Sequence, residues 1–149
     1  MEDETLKHEG ILPEGWKRPI GITDGVYAKH GRTLFIAGQV GWDENEKFQS
    51  TELVPQFEQI LKNIIAIVNK AGGKIEDICK LTCFCKDREQ YLASRQEIIK
   101  VWNTLMEGHY ICLSMIFVSD LLEHPAVIEV EATAVIPTPY PCMNLSITA

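Results

Sequence analysis

Apolar positions in this chain repeat every second residue in some stretches and every third or fourth in others. Val26 to His30, followed by Gly31-Arg32, reads as a strand and a turn. Thr33 to Val40 (TLFIAGQV) is a mostly apolar run with β-branched and aromatic members, which predicts a buried strand. Asp43 to Ser50 is polar and predicts a loop. From Leu53 the spacing changes: Leu53, Phe57, Ile60, Leu61, Ile64, Ile67, Val68 and Ala71 recur at steps of three and four. Such spacing lines up one apolar stripe on a helix of about five turns. Ser50 or Thr51 is placed to cap its start, and Gly72-Gly73 to end it.

The second half follows the same scheme. Ile78 to Lys86 (ICKLTCFCK) alternates, with Cys79, Leu81, Cys83 and Cys85 on one face and Lys80, Thr82, Phe84 and Lys86 on the other. Asp87 is placed to cap a second helix running to Met106, with Tyr91, Ile98, Trp102 and Leu105 on one stripe and Gly108 as its stop. Tyr110 to Val118 is apolar in both alternations, which predicts a strand buried on both faces. In Val127 to Ile136, Ile128, Val130, Ala132, Ala134 and Ile136 form an apolar face. Glu129, Glu131 and Thr133 share the opposite face with Val127 and Val135.

The predicted order is β-β-α-β-α-β-β, an α+β domain. Two helices cover only one face of such a sheet. The other face carries Lys80, Thr82, Glu129 and Glu131 beside apolar surface from the Tyr110–Val118 run. A mixed face of this kind is buried against another subunit, so the pattern predicts a homo-oligomer whose clefts collect the polar residues. Residues 1–18 read as a lead-in segment interrupted by Pro13 and Gly15, residues 19–137 as the domain, and residues 138–149 as an irregular tail after the proline-rich PTPYPC.

Charge narrows the function classes. Acids outnumber bases 21 to 14, for a net charge of -7, and no basic stripe interleaves with aromatics. Such a surface repels phosphate backbones, so nucleic acid is not an expected partner. The Ile111–Val118 run is far short of the ~20 apolar residues of a membrane helix, so no membrane partner is expected either. The acidic start MEDETLKHEG resembles neither a secretory signal nor a transit peptide, which predicts a cytoplasmic protein. The five cysteines contain no C-x-x-C pair and no four-ligand zinc spacing. They are expected to be free thiols in a reducing compartment, with no metal and no cofactor.

Four stretches together resemble the YjgF/RidA family, the reactive-intermediate deaminases also known as L-PSP endoribonucleases or translation inhibitors. Leu34–Asp43 (LFIAGQVGWD) resembles the family's SGQ strand, and Gln56 and Asn63 match its Q-x6-N helix spacing. Ile75–Tyr91 resembles the strand whose closing aspartate opens the second helix, and Val127–Pro137 (VIEVEATAVIP) resembles the VEIEAIAV signature. The resemblance covers roughly Pro19 to Pro137. It implies a chorismate-mutase-like homotrimer with three intersubunit clefts for a small molecule. In deaminating members an arginine grips the substrate carboxylate, and a glutamate positions water for imine hydrolysis. The glutamate corresponds to Glu129, and the backbone-permissive glycine to Gly38. The arginine slot falls on Leu113 when the strand motifs are aligned, or on Ser114 without a gap. The family's tyrosine slot falls on Thr23, its SGQ serine on Ala37, and its second-helix asparagine on Arg95.

Glu129 is therefore the candidate catalytic acid/base. Thr23, Gly38, Arg95, Leu113, Ser114 and Met115 are the candidate substrate-binding residues. A carboxylate shuttles the proton when water attacks a C=N carbon, and a helix arginine at position 95 is a cation that could stand in for the absent one. Competing readings are that Glu129 is simply a polar strand residue, Arg95 a solvated one, Met115 core and His109 a helix-end cap. Three functions follow: an imine or enamine hydrolase, a non-catalytic trimeric small-molecule sensor or carrier, and, disfavoured by charge, a ribonuclease.

Overall fold

The structure, a computed structural model, describes residues 7–17 and 21–138. Most of the expected tail, the first six residues of the lead-in and Cys142 lie outside the described residues. Among the described residues, six strands and three helices follow in order: β1 (Glu9–Ile11), β2 (Gly25–Tyr27), β3 (Gly31–Val40), α1 (Leu53–Lys70), β4 (Ile78–Cys85), α2 (Arg88–Ala93), α3 (Arg95–Met106), β5 (Cys112–Phe117) and β6 (Ile128–Pro137). A single 3-10 turn, Ile75–Asp77, leads into β4.

β3, β6, β4 and β5 form the main sheet in that spatial order. β6 runs antiparallel to both of its neighbours, while β4 and β5 are parallel. A parallel pair needs a long crossover, which α2 and α3 supply. The chain's last strand thus lies inside the sheet. Its even-numbered residues Ile128, Val130, Ala132 and Ala134 are buried against the helices. Leu53, Phe57, Ile60, Leu61, Ile64 and Val68 of α1 meet them, as the three-and-four spacing predicts.

Local stops and starts have identifiable causes. Gly72 adopts φ +87, and the Gly73 N–H donates to the Val68 carbonyl at 2.9 Å, closing α1 with a left-handed turn. Asp87 caps α2 by accepting the Gln90 N–H at 3.0 Å. Ser50 acts one step before α1: its hydroxyl accepts the Glu52 N–H at 3.0 Å, while Glu52 occupies the cap without a side-chain bond.

Three expectations change. The second helix is two helices, because Ser94 takes ψ 3 and opens the turn between α2 and α3. The first strand does not join the main sheet. β2 pairs instead with β1 from the lead-in segment, forming a separate ribbon. His8 pins this ribbon down: its Nδ1 accepts the Lys29 N–H at 3.0 Å, so its Nε2–H donates to the Val135 carbonyl of β6 at 2.6 Å. Finally, β5 is covered on one face only. Ser114 and Ile116 are exposed, because all three helices lie on the other side of the sheet.

Candidate functional site

The open face of the sheet is built from alternate residues of four strands. Glu129, Glu131 and Thr133 come from β6, and Lys80, Thr82 and Phe84 from β4. Strand register sorts them into rows. Thr133, Lys80 and Cys112 form one, Glu131, Thr82 and Ser114 the next, and Glu129, Phe84 and Ile116 the third.

Glu129 is set apart by a bulge in β3. Ile36 pairs with Ala132 and Gln39 with Val130, so Ala37 and Gly38 together oppose the single residue Glu131. Bulges of this type re-aim backbone and side chains locally. Here the bulge leaves Gly38 beneath the Glu129 carboxylate. A side-chain carbon at Gly38 would overlap the Glu129 Oε1 atom. Among the described residues, the Glu129 carboxylate forms no hydrogen bond or ion pair. A half-buried carboxylate with free lone pairs can accept a proton from water or donate one to a nitrogen.

Two side chains of α1 hold the loops around this site. Gln56 is 1% exposed. Its amide donates to the Ser50 and Pro125 carbonyls, each at 3.0 Å, and its Oε1 accepts the Val127 N–H at 2.9 Å. It therefore fixes the entry of β6 two residues before Glu129. Asn63 donates to the Trp42 carbonyl at 2.9 Å and accepts from Gln59 at 2.9 Å, anchoring the chain as it leaves β3. The Q-x6-N spacing is thus a scaffold. Its signal was legible in the sequence, but its role was not, because the bonded carbonyls belong to loops far along the chain.

The sequence candidates divide between the two sides of the sheet. Glu129 and Gly38 adjoin on the open face, and Ser114 shares that face two strands and one row away. Leu113 and Met115 face the helices instead, lining an apolar cavity of about 60 Å³ with Cys83, Tyr91 and Trp102. Arg95 is exposed at the start of α3, on the helix side, where its charge acts on Tyr91. Burial pushes the Tyr91 phenol up, and Arg95 partly offsets that rise. Thr23 is 1% exposed and its hydroxyl donates to the Ile11 carbonyl at 3.0 Å, so it ties the β1–β2 ribbon together. His109 Nε2 lies 2.8 Å from the Ile78 carbonyl, bridging the end of α3 to β4. Phe84, Thr82 and Ile116 are the open-face neighbours that the candidate set omits; strand alternation alone places them there.

Burial raises the pKa of each cysteine thiol described, and that of Cys83 to about 12. Lys80 beside Cys112 opposes the rise only in part. Cys83 should therefore resist alkylation in the native protein at pH 8 and react on addition of denaturant. Mapping alkylated peptides by mass spectrometry checks this; rapid native labelling of Cys83 would contradict the packing. No group of three or more histidine, cysteine or acidic side chains is placed to hold a metal among the described residues. Nor is any described helix long and apolar enough to cross a membrane.

Residues 23–136 match the endoribonuclease L-PSP family. The chain belongs to that family, the YjgF/RidA proteins. The family match takes in the main sheet as far as Ile136 and the three helices, and leaves out β1. A RutC family protein of Pyrococcus horikoshii is 34% identical over 84 residues, which cover 56% of this chain and 66% of the relative. A RutC family protein of Haemophilus influenzae is 29% identical over 120 residues, covering 80% of this chain and 92% of the relative. Among solved structures, the Rid family protein YyfB of Yersinia pestis superposes with a TM-score of 0.80 at 30% identity, covering 88% of this chain and all of that one. RidA from an Antarctic Psychrobacter shares the fold, with a TM-score of 0.62 at 23% identity and 90% of this chain covered.

Proposed function

We propose that this protein is a Rid-type hydrolase that converts an imine of a reactive metabolic intermediate to a carbonyl and ammonia, in clefts formed where the open sheet faces of a homotrimer meet. The observation that carries the reading is the Glu129 carboxylate, unpaired among the described residues and seated on Gly38 of the β3 bulge. In this mechanism Glu129 takes a proton from a water whose oxygen bonds to the imine carbon, and the C=N π pair moves to nitrogen. The carboxyl then returns the proton to that nitrogen. The C–N bond breaks as the hydroxyl becomes the carbonyl and its proton passes, through Glu129, to the departing ammonia, so an iminium plus water leaves as carbonyl plus ammonium. General acid–base catalysis of this kind contributes about 10²–10⁴-fold. The free thiols of Cys79, Cys83, Cys85 and Cys112 support a reducing compartment such as the cytoplasm.

The test generates an imine in place with an amine or amino-acid oxidase and follows carbonyl formation against a semicarbazide trap. Glu129→Gln should reduce the acceleration to the solvent rate. Gly38→Ala should reduce it by at least about tenfold with little loss of stability, because the added methyl displaces only the end of a flexible side chain. If the wild-type protein leaves carbonyl formation unchanged, the hydrolase reading is wrong. A second reading, a non-catalytic small-molecule binder, is favoured by Leu113 and Ser114 standing where the resemblance calls for an arginine. Thermal stabilisation by a metabolite that is not turned over would support it.

A further inference from the structure

We infer that the imine taken at Glu129 bears no carboxylate on its imine carbon, and is an iminium with an apolar substituent. This inference rests on the hydrolase reading above. An α-imino acid carries its carboxylate on the carbon that water attacks. A cation for that carboxylate must therefore stand within a few ångströms of the Glu129 carboxylate. Among the described residues of one chain, two lysines share the open face with Glu129. Lys86 pairs with Asp120 at 2.9 Å. Lys80 sits opposite Thr133, four residues along β4 from Phe84 in the Glu129 row, which is about 13 Å along the strand. Within one chain neither lysine stands in the Glu129 row, which is made by Phe84 and Ile116.

What does stand beside Glu129 suits the opposite charge. Its row continues into Phe84 and Ile116, an aromatic and an aliphatic side chain, and Glu131 adds a second carboxylate on the same strand face. An aromatic face attracts a cation, and two carboxylates balance an iminium. The chain's net charge of -7 concentrates cations at the surface and repels anions. The apolar pair gives a carbon substituent a surface to cover. The bond changes are those already given, with the aldehyde and ammonium as products.

A matched pair of imines tests the charge preference. A flavin amine oxidase acting on 2-phenylethylamine releases an imine without a carboxylate, and an amino-acid oxidase acting on phenylalanine releases its carboxylated counterpart. Semicarbazide trapping in competition with hydrolysis measures both. The expected result is an acceleration at least about tenfold greater for the amine-derived imine, abolished by Glu129→Gln. Ile116→Arg, at an exposed position in the Glu129 row two strands or about 10 Å from Glu129, should shift preference toward the carboxylated imine. If the phenylalanine-derived imine is hydrolysed faster by the wild type, the inference is overturned while the hydrolase reading stands. If neither imine is accelerated, that reading falls and the inference with it.

Discussion

Replacing Gln56 with leucine should lower the melting temperature by about 10 °C or more, although the new side chain is apolar and nearly the same size. The substitution leaves the Val127 N–H and the Ser50 and Pro125 carbonyls without their partner. Each buried polar group left unsatisfied costs about 1–3 kcal/mol, so the loss is about 3–5 kcal/mol if some of the three find water. The burial of Gln56 and the close approach of Gly41 leave little room for that rescue. Gln59→Ala is the control, since it removes one bond on a half-buried helix face and should cost about 1 kcal/mol. Thermal unfolding at fixed protein concentration separates the two. A Gln56→Leu melt close to wild type would mean that the loops before α1 and β6 are held by something else.

Phe35→Glu should dissociate the proposed homotrimer without unfolding the chain. Phe35 is 80% exposed in the middle of β3, on the open face, so it contributes almost nothing to packing within one subunit. In a homotrimer that buries the open faces, each copy would gain about 1.5–3 kcal/mol from that ring, and a carboxylate in its place would add a desolvation penalty. The expected native mass is about 50 kDa for wild type, three times 16.8 kDa, and that of one chain for the variant. Circular dichroism should stay unchanged. A variant that remains trimeric would place the interface elsewhere; a wild type that is monomeric would remove the intersubunit cleft from the proposed function.

Much of the fold was legible because local rules and tertiary packing agree. The 3.6-residue stripe of α1 is the face that the core covers, and the alternation of β4 separates its cysteines from its lysine and threonine as burial does. The Ser94 break was not legible, since one residue with ψ near zero leaves the apolar stripe of Tyr91, Ile98 and Trp102 intact. β5 misled in a different way. An apolar run on both alternations signals two buried faces, and within one chain only the helix side is covered.

The candidate site divides along the same line. Periodicity alone assigns Glu129 to the polar face of its strand, and the resemblance adds Gly38. What sequence could not decide is which side of the sheet Leu113, Ser114 and Met115 take, because that depends on register. Pairing of Leu113 with Leu81 and of Ser114 with Thr82 turns Leu113 and Met115 toward the helices and leaves only Ser114 on the face of Glu129. A one-residue slip would have reversed the assignment. Hydrophobic spacing therefore determined α1 and the strands of the main sheet and which residues are apolar within each, since burial acts on every element separately. Only the tertiary structure decided that β6 lies between β3 and β4, that a bulge puts Gly38 under Glu129, and that Thr23 and Arg95 stand away from it. Those outcomes depend on pairings between distant strands, which no local pattern encodes.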